Sequence, residues 1–289
     1  MFKKKKEQTY QSYWSISWNI FKKNKVAMVC LFIVILLCLI ALFAPLIAPY
    51  DPNKQVLTDR LMKPCGQHWF GTDDLGRDIF SRIIYGCRVS LSVGIISQII
   101  ATVIGYTMGV CAGYYGGKVD SVISFLIQVF SSFPFLLFAM AIMFVLGPGL
   151  INLYLALGLL GWASTARLIR GDVMRLKKME YIDACKVSGG NSFRIIMKHL
   201  LPNCLSTLIV TVTLGIPNAI MSEASLSFLG LGVKAPMASW GSMISFSQPY
   251  IRSATYYSVI PGLAIIITVL AFNMLGDGLR DALDPKLRS

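Results

Sequence analysis

Five long stretches without a charged side chain constrain this sequence more than any other feature. They cover residues 26–47, 89–117, 121–166, 200–222 and 253–276. A helix needs about 20 consecutive apolar residues to cross a bilayer, so the third stretch is long enough for two helices, which Gly147-Pro148-Gly149 would separate. The sequence therefore predicts an all-α membrane protein with six transmembrane helices, near 26–47, 89–113, 121–146, 150–167, 203–222 and 256–276.

The positive charge of the chain is distributed unevenly between the predicted loops. Only 14% of the residues are charged, yet the formal net charge is +13. With both termini placed in the cytoplasm, 19 of the 27 Lys and Arg residues lie in cytoplasmic segments, an excess that is typical of membrane proteins. The sequence therefore predicts a multi-pass protein of the cell (inner) membrane with cytoplasmic N- and C-termini. These basic residues set the topology and are not expected to bind nucleic acid.

The predicted spans divide the chain into three regions. Near the N-terminus, Trp14, Trp18 and Phe21 recur at helical spacing, which is typical of a helix lying on membrane lipids; a plain basic tail is the alternative. Farther on, Asp78 is expected to begin the helix that leads into the second span. The regions are a basic cytoplasmic segment, the first span with an extracytoplasmic segment, and a five-helix core, at residues 1–25, 26–88 and 89–289.

Several classes of site are disfavoured by the sulfur-containing and ionisable residues. Seven cysteines are scattered without a Cys-x-x-Cys pair, which argues against a disulfide framework and a metal site. His68 and His199 are far apart, and no His-Glu-x-x-His motif of a metalloprotease occurs. The cores of the predicted spans contain no Asp, Glu, Lys or Arg. An ion-coupled secondary transporter or channel, the alternative of a different class, usually needs such residues there.

The longest predicted cytoplasmic connection, residues 168–202, is unusually structured for a basic loop. Residues 172–188 have helical composition, Gly189-Gly190 breaks the pattern, and Asn191 or Ser192 can cap a second short helix. A solvated loop is the alternative reading. A solvated loop would not need apolar residues that recur on one face, so the pattern favours a connection that docks through this face. The apolar residues are Ala184, Val187, Phe193 and Ile196.

Two parts of this connection carry a recognisable motif. Residues 180–189 read EYIDACKVSG, and after nine further residues 199–202 read HLLP. The pattern resembles the EAA loop of binding-protein-dependent ABC importer permeases, in which Glu-Ala-Ala is followed by three residues, Gly, nine residues, Ile, one residue and Leu-Pro. Here Asp183 replaces the Glu, Cys185 the second Ala and His199 the Ile of that motif.

Four further stretches narrow the resemblance. Residues 70–82, 85–94, 223–232 and 275–288 are similar to the C-type permease of dipeptide, oligopeptide and nickel importers. The resemblance implies the type I ABC importer permease fold and transport of di- or oligopeptides, with nickel or a metal chelate as the alternative substrate. Uncharged spans with scattered Ser, Thr and Asn agree with a weakly selective path for peptides, whereas a bare metal ion would want carboxylate, imidazole or thiolate ligands.

The resemblance also implies a division of labour between subunits. Such permeases pair with a second homologous permease, two ATP-binding cassette ATPases and an extracytoplasmic solute-binding protein. No Gly-x4-Gly-Lys-Ser/Thr motif occurs, so this chain is expected to be non-catalytic, to bind no cofactor itself and to leave ATP and Mg²⁺ to the ATPases. The resemblance implies that residues of the 168–202 loop couple to an ATPase, namely Glu180, Asp183, Ala184, Cys185, Lys186, Gly189, Arg194, Leu201 and Pro202.

The candidate pore or gate residues are positions where prolines and small polar residues interrupt the predicted spans. Such positions tolerate a wet cavity, although ordinary kinks and helix packing are the alternative for each. The apolar run that begins at Glu223 is expected to pack at the outer surface or to dip in and return, with Trp240 at the interface, and Glu223 either acts within the membrane or starts this loop. The candidates are Ser131, Ser132, Pro134, Pro217, Asn218 and Glu223.

Overall fold

The computed structural model describes residues 13–284, which form helices joined by turns. An isolated antiparallel bridge joins Thr72 to Asp78. A π-helical turn, Ile196–Leu200, leads directly into the 28-residue helix Leu201–Phe228. The α-helices are α1 (Tyr13–Lys23), α2 (Lys25–Leu42), α3 (Ala44–Ile47), α4 (Ile79–Tyr115), α5 (Gly117–Ser132), α6 (Phe135–Leu146), α7 (Leu150–Leu176), α8 (Glu180–Val187), α9 (Ser192–Ile195), α10 (Leu201–Phe228), α11 (Trp240–Ser247) and α12 (Thr255–Leu283).

Within residues 13–284, four helical stretches are long and apolar enough to cross a membrane, or five if the bent pair α5–α6 forms one span. The four stretches are α2, α4, residues 192–228 and α12. α7, which covers the predicted fourth span, has 27 residues and thus the length to cross a bilayer, but it is not among these stretches. The fold is therefore that of an all-α membrane protein, as the sequence predicts.

The predicted third span is not one straight helix. α5 and α6 are bent by 90° at a break between Ser132 and Phe135. The physical reason is Pro134, because a proline disfavours helical angles in the residue before it; Phe133 accordingly has φ −91° and ψ 138°. A single straight helix over 121–146 is therefore wrong, and the two halves face different neighbours.

α4 and α7 form the most extensive helix pair, and glycines explain how they approach. Gly105, Gly109 and Gly113 recur every four residues along the α4 face that meets α7. A Cβ atom at these positions would lie 2.6–2.9 Å from atoms of α7, among them Thr165 Cβ and the carbonyl oxygen of Ala166. Small residues at this spacing let helix backbones pack closely in membranes. The pair forms a rigid wall against which α5 and α6 lie.

The second half of the fold is built around α10 and α12. α12 packs against α10 on one side and against α1 and α2 on another, where Phe21 and Ala27 are buried. A helix is thus present over the described part of residues 1–25, and its place at the membrane interface stays a prediction; Lys3–Lys6 lie outside the described residues. α2 remains mostly exposed at the periphery, as expected for a helix that faces lipid.

The α3–α4 segment (residues 48–78) is ordered by buried charges. Arg77 Nε donates to Asp73 Oδ2 at 2.6 Å, and Arg82 Nε lies 3.5 Å from the same oxygen. All three side chains are at most 5% exposed. Asp78 begins α4, as predicted, because its Oδ2 accepts a hydrogen bond of 2.7 Å from the backbone N–H of Ser81.

Candidate functional site: an uncharged cavity and an exposed helical connection

A large open cavity runs along α10. Its volume is about 1260 Å³, and its walls come from α4, α6, α7 and α10, with α1 and α12 at one end. The lining positions of α10 extend from Pro202 to Ser225, which corresponds to about 35 Å of helix at 1.5 Å per residue. The cavity is thus long enough to follow much of a bilayer's hydrocarbon core, which is about 30 Å thick.

The cavity wall of α10 is polar but uncharged. Thr211, Ser222 and Ser225 each donate their hydroxyl hydrogen to a backbone carbonyl one turn earlier, at 2.7–2.9 Å. A hydroxyl has one hydrogen and two lone pairs, so these side chains offer the cavity acceptors rather than donors. The polar lining residues of α10 are Asn203, Ser206, Thr207, Thr211, Asn218, Ser222 and Ser225.

Charged side chains line this cavity at one end, within the described part of the chain. They are Arg175 near the end of α7, Arg280 near the end of α12, and Asp284 just beyond it. Trp14 of α1 lies at the same end and lines the cavity too. A solute in the middle of the cavity therefore meets hydroxyl, amide and aliphatic groups, and meets charge at this end.

The pore candidates chosen from the sequence are not brought together. Asn218 lines the cavity, whereas Pro217 is buried within α10. At the α5–α6 bend, Ser131 accepts a 2.9 Å hydrogen bond from Arg167 and Ser132 donates to the carbonyl of Gln128, and Pro134 is exposed beside them. The regular spacing of Asn203, Thr207, Thr211, Asn218 and Ser222 along one helix face was the sequence signal that could have identified the cavity wall.

Glu223 lies inside a helix rather than at the start of a loop. α10 continues to Phe228, and Glu223 is fully buried, so the expectation that it starts the loop is wrong. Its Oε1 accepts hydrogen bonds from Ser227 and Ser239 at 2.6 and 2.7 Å. Ser239 in turn caps α11. Glu223 therefore ties α10 to α11, away from the cavity.

Trp240, expected at the interface, is buried instead. It is 1% exposed, and its indole N–H donates to the carbonyl of Ile83 at 3.1 Å. Its backbone N–H donates to Ser90 Oγ at 3.2 Å. Both acceptors belong to α4, so Trp240 fixes the start of α11 against that helix. The apolar run after Glu223 thus returns to the helix bundle through α11.

The α7–α10 segment (residues 177–200) contains the motif that the sequence identified. The helix expected over 172–188 is broken, because α7 ends at Leu176 and α8 begins at Glu180. Gly189 then adopts φ +79°, a conformation that favours glycine. Asn191 caps α9, as predicted, by accepting a 2.8 Å hydrogen bond from the backbone N–H of Arg194. The segment is therefore two short helices joined by a glycine turn.

Three buried side chains hold this segment against the bundle. Ile182, Ile195 and Leu200 are at most 1% exposed and pack with α7 and Cys204. The predicted apolar face is only partly turned inward, since Val187 is 90% and Phe193 73% exposed. Exposed apolar groups of this size are typical of surfaces that bind a partner.

The residues assigned to coupling lie mostly on the same surface. Asp183 is paired with Lys186 at 2.8 Å and remains 64% exposed. Gly189, Phe193 and Arg194 line an open groove of about 350 Å³, formed by the glycine turn, α9 and the π-helical turn. Cys185 is half-buried, and Leu201 and Pro202 begin α10. The remaining coupling candidates, Glu180, Ala184 and Lys186, are exposed on α8.

The predicted absence of a metal site can be checked only where the structure describes the chain. In residues 13–284, three or more His, Cys, Asp or Glu side chains do not come together in a group that could hold a metal ion. The cysteines of this part are free thiols, at positions 30, 38, 65, 87, 111, 185 and 204.

Comparison with known proteins gives the family. Residues 102–289 match the family described as the inner membrane component of binding-protein-dependent transport systems. Residues 12–64 match the N-terminal transmembrane domain of oligopeptide transport permease C. The cavity wall of α10 and the α7–α10 segment both lie within the first match.

Curated relatives are similar over nearly the whole chain. A dipeptide transport system permease protein of Bacillus subtilis is 46% identical over 278 residues, 96% of this chain and 87% of the relative. An oligopeptide transport system permease protein of the same species is 42% identical, over 96% and 91% of the two chains. A glutathione transport system permease protein of Pectobacterium atrosepticum is 41% identical, over 98% and 95%.

A solved structure supports the fold. A chain of the MetNI methionine ABC transporter in an inward-facing conformation superposes with a TM-score of 0.57 at 19% identity, covering 71% of this chain and 98% of that one. The family match and the curated relatives set aside the ion-coupled transporter, channel and metalloprotease alternatives. The chain belongs to the inner membrane components of binding-protein-dependent transport systems, as a non-catalytic, multi-pass permease subunit of an ABC transporter that includes ATPase subunits.

Proposed function

We propose that this permease conducts di- and oligopeptides across the inner membrane. The observation that carries the proposal is the large cavity along α10, which has hydroxyl groups along its wall and charged side chains only at one end. Its volume of about 1260 Å³ exceeds the roughly 300–1,000 Å³ of sites that enclose a drug-sized ligand. A path that must pass varied side chains needs room and weak contacts rather than a tight site. The dipeptide, oligopeptide and glutathione permeases among the relatives support the same substrate class.

The lining of the cavity suits a peptide backbone. Peptide N–H groups and a protonated amino terminus are donors, and the hydroxyl oxygens of Thr211, Ser222 and Ser225 offer acceptors one to a few helical turns apart. Isolated neutral hydrogen bonds contribute only about 0.5–1.5 kcal/mol each, so a peptide can exchange one contact for the next. Nickel or a metal chelate is the alternative substrate carried forward from the sequence.

A complete transporter requires further subunits. The proposed assembly contains this chain, a second homologous permease, two ATP-binding cassette ATPases and an extracytoplasmic solute-binding protein. The open side of the cavity is where the second permease would complete the path. The α7–α10 segment would bind an ATPase through Val187, Phe193 and the groove beside Gly189, with Asp183 and Arg194 at its rim. ATP and Mg²⁺ would be held by the ATPases.

The proposed topology has six spans with both termini in the cytoplasm. The spans are α2, α4, the bent pair α5–α6 as one crossing, α7, α10 and α12. α5–α6 and α7 then cross in opposite directions, so the α7–α10 segment faces the cytoplasm and the α3–α4 segment faces outward. The excess of Lys and Arg in the segments placed inside supports this orientation. It also places the charged end of the cavity, at Arg175 and Arg280, at the cytoplasmic mouth.

Thiol labelling tests this topology. In variants that keep a single cysteine, a membrane-impermeant reagent added to intact cells or spheroplasts should label Cys65, which is exposed in the α3–α4 segment. The same reagent should label Cys185 only after the membrane is opened. Labelling of Cys185 but not Cys65 in sealed cells would reverse the orientation.

Uptake measurements test the substrate. Cells with and without this gene are compared for accumulation of a labelled dipeptide, a labelled tripeptide, nickel ion and a nickel chelate. Loss of peptide uptake in the deletion, restored by the gene on a plasmid, is the expected result. Unchanged peptide uptake together with lost nickel accumulation would overturn the peptide assignment and leave the family assignment intact.

A further inference from the structure

The last turn of α4, which leads into α5, is attached to the α7–α10 segment at two points. Lys177, directly after α7, donates from Nζ to the carbonyl oxygen of Tyr114, and its ammonium lies 5.6 Å from the centre of that ring. The hydroxyl of the same tyrosine donates to Ser192 Oγ at 3.3 Å, at the start of α9. Tyr114 therefore contacts both short halves of the segment. Movement of either half reaches this turn directly.

A charge pair continues the attachment into α5. Arg170 of α7 donates from Nε and Nη2 to the two carboxylate oxygens of Asp120, at 2.5 and 2.7 Å. Two parallel hydrogen bonds between a guanidinium and a carboxylate fix orientation as well as distance. Asp120 lies in the first turn of α5, and only 21% of its side chain is exposed. The pair thus holds the beginning of α5 at a defined position on α7.

The other end of α5 is held to α7 as well. Arg167, one turn before Arg170, donates from Nη2 to Ser131 Oγ at 2.9 Å. Between the two polar contacts, Ile123 and Ile127 are buried against Trp162, Ala163 and Ala166 of α7. Interlocked side chains and charge-assisted bonds along the whole of α5 make α5 and α7 one rigid unit.

This unit ends at the wall of the cavity. α5 is followed by the 90° bend at Pro134, and the first residues of α6, Phe135 and Leu136, line the cavity. Both side chains are exposed at that wall. A rotation of α5 with α7 would move these two apolar groups relative to the polar face of α10.

We propose that Asp120 and Arg170 are positioning residues for transport, which make α5 a lever between the α7–α10 segment and the cavity wall at Phe135 and Leu136. The inference rests on the proposed function, in which an ATPase moves the α7–α10 segment. α7 carries the motion, the Asp120–Arg170 pair transfers it to α5, and the bend converts it into displacement of α6.

Charge exchange tests the lever in the assembled transporter. The variants are Asp120→Arg, Arg170→Asp and the double exchange, and the readouts are the amount of complex in the membrane, ATP hydrolysis and peptide taken up per ATP hydrolysed. Each single exchange should lower uptake per ATP by about fivefold or more, the lower limit of a typical coupling between sites, while hydrolysis persists. The double exchange should restore it, because the pair is re-formed in the opposite sense.

Two further variants make the result decisive. Asp120→Asn keeps the size of the side chain and removes its charge, so it reports on the pair if a charge reversal prevents assembly. Lys234→Asp changes the net charge by as much as Arg170→Asp, at an exposed position of the α10–α11 connection, and should leave uptake per ATP unchanged. Normal uptake per ATP in Asp120→Asn, or a double exchange no better than the singles in assembled complex, would overturn the lever. Failure of the unmodified transporter to take up peptide would instead overturn the proposed substrate.

Discussion

The two long connections of this chain, the α3–α4 segment and the α7–α10 segment, are similar in length but opposite in construction. In the first, buried Asp73 is paired with buried Arg77 and also lies beside Arg82, buried in the first turn of α4. In the second, the charged pair Asp183–Lys186 lies at the surface, and large apolar side chains are exposed beside it. The first segment is held in place by its own buried charges, whereas the exposed apolar groups of the second are the surface proposed to bind an ATPase.

Contacts with the rest of the chain follow the same division. The α3–α4 segment is joined to the start of α12 and the turn before it, since Arg60 donates to Tyr250 Oη, Tyr256 donates to the carbonyl of Met62, and Tyr257 donates to Asp74. These bonds span more than 180 residues of sequence. The α7–α10 segment is joined to its neighbours mainly through three buried aliphatic side chains and Tyr114. The α3–α4 segment is a fixed part of the fold. The α7–α10 segment is the connection that we propose an ATPase moves.

The largest effect is expected from breaking the buried charges of the α3–α4 segment. Asp73→Ala leaves two buried guanidinium groups without their carboxylate, and removal of one partner of a buried ion pair typically costs about 3–5 kcal/mol. The thermal midpoint of the purified protein in detergent should fall accordingly, with little protein recovered from membranes. Asp51→Ala is the control, since it removes an exposed carboxylate with a single local hydrogen bond, to Asn53. Equal stability of the two variants would contradict the role of the buried pair.

A smaller and different effect is expected at the exposed face of the α7–α10 segment. Phe193→Asp places a charge where the proposal puts an ATPase, and loss of an interface hot spot costs about 2 kcal/mol or more, or roughly 30-fold in affinity. Because Phe193 is 73% exposed, the fold of the isolated subunit should not change. Co-purification of the ATPases should be lost at an unchanged thermal midpoint. Leu57→Asp, at a leucine 69% exposed in the α3–α4 segment, should retain the ATPases.

The helices of both halves were predictable, because their signals are local. Charge-free runs of bilayer length locate the spans, and Asp78 and Asn191 cap helices as their positions predict. The ends of the spans were less predictable, because the prediction stopped at charged residues. α4 begins after Asp78 as predicted and continues through Arg88, where the predicted span stopped, but the sequence does not show that buried Arg82 lies beside Asp73 in the fold. A pattern of single residues contains no information about such pairing.

The candidate site was predictable to the extent that it depends on surface motifs. Most residues of the 180–189 motif are exposed, apart from buried Ile182 and half-buried Cys185. The cavity wall, in contrast, depends on which side of α10 the neighbouring helices leave open. Glu223 shows the limit most clearly. Its acidity suggested a functional group in the membrane, and only the positions of Ser227 and Ser239 show that it joins two helices.

The smallest effect is expected at the exposed charge pair, and it separates stability from coupling. Asp183 and Lys186 are three residues apart on α8, and Asp183 is 64% exposed. An exposed pair of this kind contributes about 0.2–1 kcal/mol, so Asp183→Ala should move the thermal midpoint far less than Asp73→Ala does.

ATPase binding should nevertheless depend on this carboxylate. A charge at the rim of an interface influences the rate of association and its salt dependence more than the fold. Asp183→Ala should therefore weaken ATPase binding by a few-fold, most visibly at low salt, since a contribution of about 1 kcal/mol corresponds to roughly fivefold. Lys186→Ala is the matched control, because it abolishes the same pair but keeps the acid. If both variants weaken binding equally, the pair itself orders α8; if only Asp183→Ala does, the carboxylate contacts the partner, and binding unaffected by either change would remove Asp183 from the interface.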